Sequence, residues 1–167
     1  MVLPISFDET KAAVALNLQT RARALEYLAA GGAVGVFPGG TVSTAATPFS
    51  RPMDPGWRNF TARMIAKSGA TVVPVFFTGH NSRLFQIASH LHYTLRLGLL
   101  IKEFKARVDE PVLVVIGAPI AAARLASYSS DPKAMMEYLR RANYDLSPVP
   151  LRSYDLGHEF EAKYKTR

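Results

Sequence analysis

Short apolar runs alternate along this chain with longer stretches of helical period, and that alternation constrains the fold more than any other feature. Val2 to Phe7, Ala33 to Phe37, Thr71 to Phe77 and Val112 to Ile116 are brief and rich in β-branched and aromatic residues. Runs of that kind suit strands buried in a parallel sheet. From Thr10, the residues Val14, Leu18, Leu25 and Leu28 recur at helical spacing until Gly31-Gly32 stops them. Trp57 to Ser68 predicts a second helix ending before Gly69, Asn81 to about Arg107 a third, and Asp131 to Arg141 a last one. In that last helix Asp131 is the expected cap and Pro132 the first helical residue. Strands alternating with helices predict an α/β domain with a mostly parallel sheet flanked by helices. The run at Val2 has no helix or turn before it, so the chain is expected to enter the sheet midway. The domain is expected over residues 1–146, and 147–167, with Pro148 and Pro150, as a loosely held tail.

At 167 residues the chain is long enough to bury roughly two thirds of its unfolded surface, so it needs no disulfide or metal staple. It contains no cysteine, which excludes disulfide frameworks, thiol nucleophiles and cysteine-based zinc or iron–sulfur sites. Lys and Arg number 20 against 13 Asp and Glu, a net charge of +7. Phosphate-bearing ligands, an anionic membrane surface and nucleic acid are therefore the electrostatic partners to weigh. Nucleic acid is disfavoured, because the basic residues are not interleaved with aromatics on a recognised module. The opening residues lack the charged and apolar regions of a secretory signal, and no apolar stretch nears the roughly 18 residues of a membrane span.

Ligands of open α/β sheets gather at the carboxyl ends of strands. That directs attention to Phe37-Pro38-Gly39-Gly40-Thr41 and to Phe77-Thr78-Gly79-His80. A Gly-rich turn leaving a strand can offer N–H groups and hydroxyls to an anion. The alternative is that Thr41, Ser43 and Thr44 only tie up the turn's own backbone. A nucleotide P-loop fits poorly, since no lysine stands where the phosphates need one, and no G-x-G-x-x-G occurs. In the segment from Asn81 to Arg107, Leu84, Ile87, Ala88, Leu91 and Leu95 share one face, with Arg83, Arg96, Lys102, Lys105 and Arg107 around the rest. Either an interfacial helix on anionic lipid or a core helix with solvated basic ends has this chemistry. His90 and His92, two apart, make a poor metal pair and are expected to pack or face solvent. His80 lies in a polar loop that a substrate can reach. Arg51, Arg58, Arg63 and Lys67 form a second basic group, suited to phosphates such as those of a bilayer. No cofactor or metal is expected.

Taken together, these segments resemble a known family. Val36-Phe37-Pro38-Gly39-Gly40-Thr41-Val42-Ser43, followed by Ala70-Thr71-Val72-Val73-Pro74-Val75, is similar to the third and fourth motifs of the glycerolipid (lysophospholipid) acyltransferases. The likeness is to their hemolysin-like branch, related to the acyltransferases of ornithine-lipid synthesis. Segments similar to Trp57-Arg58-Asn59-Phe60, Gly79-His80-Asn81-Ser82-Arg83-Leu84-Phe85-Gln86 and Ile116-Gly117-Ala118-Pro119-Ile120 follow in the family's order, so the resemblance covers about residues 2–120. It implies a glycerol-3-phosphate acyltransferase-like fold, truncated at its amino end. The implied activity is acyl transfer from acyl-CoA or acyl carrier protein to the hydroxyl of a lyso-lipid, a lysophospholipid or lyso-ornithine lipid, at the cytoplasmic face of the inner membrane. The implied substrate-binding residues are Phe37, Pro38, Gly39, Gly40, Thr41, Val42, Ser43, Thr44, Pro74, His80 and Arg83.

The family's general base belongs to a His-x-x-x-x-Asp motif, in which aspartate orients histidine. Five residues after His80, His90, His92 and His158 stand Phe85, Leu95, Leu97 and Lys163, so none qualifies. No catalytic residue is therefore expected within the chain; the base is expected upstream of Met1, and the chain to be catalytically incomplete. Many members carry F-P-E-G-T-R-S, where this chain has Gly39 for the glutamate and Val42 for the arginine that pairs with an acceptor phosphate. A lyso-aminolipid acceptor gains by that departure. The alternative function is a non-catalytic lipid-surface or partner-binding module of the same fold. A sheet lacking its amino-terminal part also exposes an edge, so self-association is expected.

Overall fold

The structure is a computed structural model that describes residues 2–6 and 10–160. Its helices begin and end where local chemistry dictates. Helix α1 (Lys11–Ala29) opens on Thr10, whose hydroxyl accepts from Ala13 N. Helix α2 (Asn59–Ser68) stops at Gly69, which is left-handed at φ 61°, a conformation that favours glycine. Helix α6 (Pro132–Tyr144) has Asp131 as its cap, accepting from Ala134 N, and Pro132 in the first turn. Residues 2–6, the described part of the run ending at Phe7, form no strand. Ser6 and Asn17 exchange two hydrogen bonds at 2.7 and 2.9 Å, and Thr20 donates to Pro4 O, which straps the segment along α1.

The mostly parallel sheet is absent among the described residues. Among the described residues the strands are two short antiparallel ribbons: β1 (Thr44–Ala45) with β2 (Pro52–Met53), and β3 (Val75–Phe77) with β4 (Val114–Ile116). Helices carry most of the regular structure. The physical reason lies between β3 and β4. One continuous helix of 27 residues from Asn81 to Arg107 would span about 40 Å and deliver the chain to the far end of the sheet, as a parallel pairing requires. Instead His92 is extended (φ −160°, ψ 138°) and splits the segment into α3 (Arg83–Leu91) and α4 (Tyr93–Lys105). The two helices pack on each other, and α4 ends beside the end of β3: Arg107 donates to His80 O at 2.9 Å, and Glu103 accepts from Ser82 N at 2.9 Å. The chain therefore re-enters where it left, and β4 runs back against β3, with Val75 opposite Ile116 and Phe77 opposite Val114.

Ala33 to Phe37 keeps the period-two pattern of a strand, with Val34 and Val36 half-buried between exposed neighbours, yet belongs to no ribbon. Two apolar clusters hold the rest. Ala62 and Ile65 of α2 meet Met135, Met136 and Leu139 of α6 and Leu125 of α5 (Ala122–Ala126). Met53, Phe76 and Tyr144 form the second cluster, so α6 packs on the inner face of the β3–β4 ribbon. The tail from Ser147 lies back over the β1–β2 ribbon as far as Phe160, the last residue described. Gly157 N donates to Asp54 O at 2.9 Å and His158 N to Thr44 O at 3.0 Å.

Candidate functional site

The glycine loop is built around Asp54. Phe37 O accepts from Gly40 N at 3.3 Å, closing a turn with Gly40 at φ 67°. Gly39 is buried against the Asp54 side chain, and Arg58 N donates to Pro38 O at 2.9 Å. Both carboxylate oxygens of Asp54 are engaged. The Ser43 hydroxyl donates to Oδ1 and the Trp57 indole N–H to Oδ2, the latter at 2.9 Å. The backbone N–H of Asp54 donates to the Tyr144 hydroxyl oxygen at 2.8 Å, and its carbonyl accepts from Gly157 N. Burial pushes the Tyr144 phenol up to about 12, with the nearby Asp54 charge adding to the effect.

Two buried arginines fix the loop from either side. Arg140, fully buried on α6, donates to Tyr154 O and Asp155 O at 2.9 Å and lies 3.5 Å from Asp54 O. Arg96 of α4 donates to Thr44 Oγ1 at 2.8 Å, Ser89 Oγ at 2.9 Å and Val42 O at 3.3 Å. Its guanidinium sits between the rings of Phe85 and Phe160, 4.9 and 4.1 Å from their centroids. Desolvation holds Arg96 below the usual arginine value, and Tyr93 acts in the opposite direction. Helix α3 adds two more ties, both to Ala45: Gln86 Oε1 accepts from its N–H and His90 Nε2 lies 2.9 Å from its carbonyl.

The predicted residues divide accordingly. Gly39, Gly40, Val42, Ser43 and Thr44 surround the Asp54–Arg96 framework, and the Ser43 and Thr44 hydroxyls bond to Asp54 and to Val42 O. Thr41 is half-buried. Phe37 is 79% exposed and its ring stands 5.8 Å from that of Phe77. Pro74, His80 and Arg83 share no hydrogen bond with residues 37–44 among the described residues. Pro74 O accepts from Gly117 N at 2.9 Å, His80 is exposed with Nδ1 3.0 Å from Asn81 O, and Arg83 donates to Pro48 O and Ser50 O. Of the second basic group, Arg51 donates to Ser147 and Arg58 pairs with Glu159 at 3.0 Å. Arg63 and Lys67 instead converge with Arg21 of α1 on a separate cavity.

Sequence reasoning missed Asp54, Tyr144 and Arg140, and it placed Arg96 among the outer basic residues. One signal was present for Asp54, which stands in Pro52-Met53-Asp54-Pro55-Gly56, a turn composition whose acid is poised to bond a neighbouring loop. Nothing local marks the other three, because their partners lie far along the chain.

Helix α4 supplies the other candidate surface. Its inward face is Arg96 with the half-buried Leu99, Leu100 and Glu103. Tyr93, Leu97, Ile101 and Phe104, at helical spacing on one flank, are 61, 45, 63 and 72% exposed, and Lys102 and Lys105 occupy the neighbouring sector of the helix. No helix among the described residues is long and apolar enough to cross a membrane, and no group of metal-ligating side chains occurs among them. Comparison of the chain with protein-family models, with curated proteins and with solved structures finds no match.

Proposed function

We propose that this chain is a lipid-surface module that binds an anionic membrane through α4 and meets lyso-lipid there, without itself transferring an acyl group. The observation that carries the reading is the exposed flank Tyr93–Leu97–Ile101–Phe104 beside Lys102 and Lys105. Apolar area left in water costs about 25 cal/mol per Å². A helix laid in the headgroup region recovers that cost while its lysines meet lipid phosphates. Arg96 and Glu103, on the inward face, are already bonded to Thr44 and Ser82 and take no part. The lyso-lipid hydroxyl as acceptor, acyl-CoA or acyl carrier protein as donor, and the inner membrane's cytoplasmic face all come from the motif resemblance. The absence of a His-x-x-x-x-Asp motif supports binding without transfer. His80 and His90 bond to backbone carbonyls and His92 accepts from Thr94 N.

Co-sedimentation with phosphatidylglycerol-containing vesicles tests this. Binding is expected to weaken with salt and to fall at least tenfold in K102E/K105E. Equal binding to neutral vesicles, or no effect of the double reversal, refutes it.

A second reading, self-association, is favoured by the outer face of the β3–β4 ribbon, where Val75, Phe77, Val114 and Ile116 are 38, 47, 44 and 67% exposed. A concentration-dependent dimer in lipid-free sedimentation, abolished by Phe77→Lys, distinguishes it.

A further inference from the structure

The cavity that gathers Arg63 and Lys67 adjoins a second one across shared lining residues, and the two differ in chemistry. The first, about 170 Å³, lies between α1, α2 and the start of α6. Its rim carries Arg21, Arg63 and Lys67, which form no ion pair among the described residues, over a floor that includes Ala62 and Met135. Among the described residues no carboxylate lines it. Asp131, adjacent to the lining Pro132, holds Ala134 N as the α6 cap. The second chamber, about 300 Å³, shares Ala66, Ser129 and Met135 with the first and continues between α2 and α5 along Ile65, Ala122 and Ala126. Apart from the shared Ser129 its side chains are apolar, and the alanines keep it open. Its volume reaches the lower end of the range for small-molecule sites, about 300–1,000 Å³.

We infer that this two-part groove binds a single-chain anionic amphiphile, the phosphate or carboxylate head at Arg21, Arg63 and Lys67 and the alkyl chain between α2 and α5. The charge argues for the head, since converging cations raise the local concentration of an anion. The adjoining chamber argues for the chain, because a bare inorganic anion would leave that apolar wall uncovered. The site uses α1, α2, α5 and α6 and none of α4, so it stands or falls separately from the membrane contact proposed above.

Calorimetric titration of the purified chain with decyl phosphate, decanoate, decyl maltoside and inorganic phosphate, each below its micellar range, tests the inference. Binding of either anionic chain at least tenfold tighter than decyl maltoside and inorganic phosphate is expected, and comparison of the two anionic heads identifies phosphate or carboxylate as the preferred one. R63E/K67E, on exposed positions, should weaken that binding at least tenfold. Ala123→Phe, on the exposed side of α5, should do the same by filling the groove while vesicle binding persists. If that variant loses its helical circular dichroism, the charge reversal decides alone. Inorganic phosphate binding as tightly as decyl phosphate, an uncharged head binding as well as a charged one, no binding of any probe, or no effect of R63E/K67E each overturns the inference.

Discussion

Gly157 is the point at which the tail either is or is not seated on the β1–β2 ribbon, and Gly157→Ala tests that directly. An added Cβ would stand 1.8 Å from Met53 O and 2.6 Å from Thr44 O, where side-chain carbons essentially never come within 3.0 Å. The segment must then retreat by about 1.2 Å, the difference between 3.0 and 1.8 Å. A retreat of that size carries the bonds from Gly157 N to Asp54 O (2.9 Å) and His158 N to Thr44 O (3.0 Å) beyond hydrogen-bonding range. Each is worth about 1 kcal/mol net, and more where a buried carbonyl is left bare. The Arg140 bonds to Tyr154 O and Asp155 O loosen with them. The expected loss is about 2–4 kcal/mol in urea unfolding followed by circular dichroism, or roughly 5–15 °C in Tm for a chain of this size. Gly98→Ala, in the α4 interior with nothing near its Cβ, is the control and should gain about 0.5–1 kcal/mol. A Gly157→Ala chain within about 0.5 kcal/mol of the parent would refute the seating of residues 154–160.

Tyr144 makes stability fall at high pH. Its folded value of about 12 exceeds the ordinary 10, so between those values the folded state holds a proton the unfolded chain has lost, and on the order of 2–3 kcal/mol disappears as pH rises through that window. Tyr144→Phe should remove this part of the slope in pH-dependent unfolding; an unchanged slope counts against the burial. Arg140→Leu frees two tail carbonyls and should cost about 3 kcal/mol, with faster proteolysis of the tail, whereas unaltered cleavage argues against the anchor. Arg96→Met should cost about 2–3 kcal/mol by releasing Thr44, Ser89 and Val42 O, and Arg96→Lys should recover little because an ammonium lacks the planar fork. Full recovery by lysine would contradict that geometry. Acyl transfer from acyl-CoA to a lyso-lipid by the purified chain should not exceed the blank, and turnover above it would overturn the non-catalytic reading.

What the sequence determined by itself was local. Thr10, Gly69, Asp131 and Pro132 bounded helices correctly because a cap hydroxyl, a left-handed glycine and a fixed proline φ act within one turn of the chain. The apolar runs at Thr71 to Phe77 and Val112 to Ile116 contained the strands β3 and β4 for the same reason, β-branched and aromatic content being a property of each run alone. The glycine loop was legible as a turn, but its organising acid was not, because Asp54 acts through Ser43, Trp57 and Tyr144 together. Only the tertiary structure decided which strand meets which, and in what direction. A single extended residue, His92, turns one expected helix into a hairpin, returns the chain to the end of β3 and makes the pairing antiparallel. It likewise buried Arg96, whose partners Val42 and Thr44 lie more than fifty residues away. Pairing direction and buried charge depend on contacts between distant segments, and no local pattern encodes those.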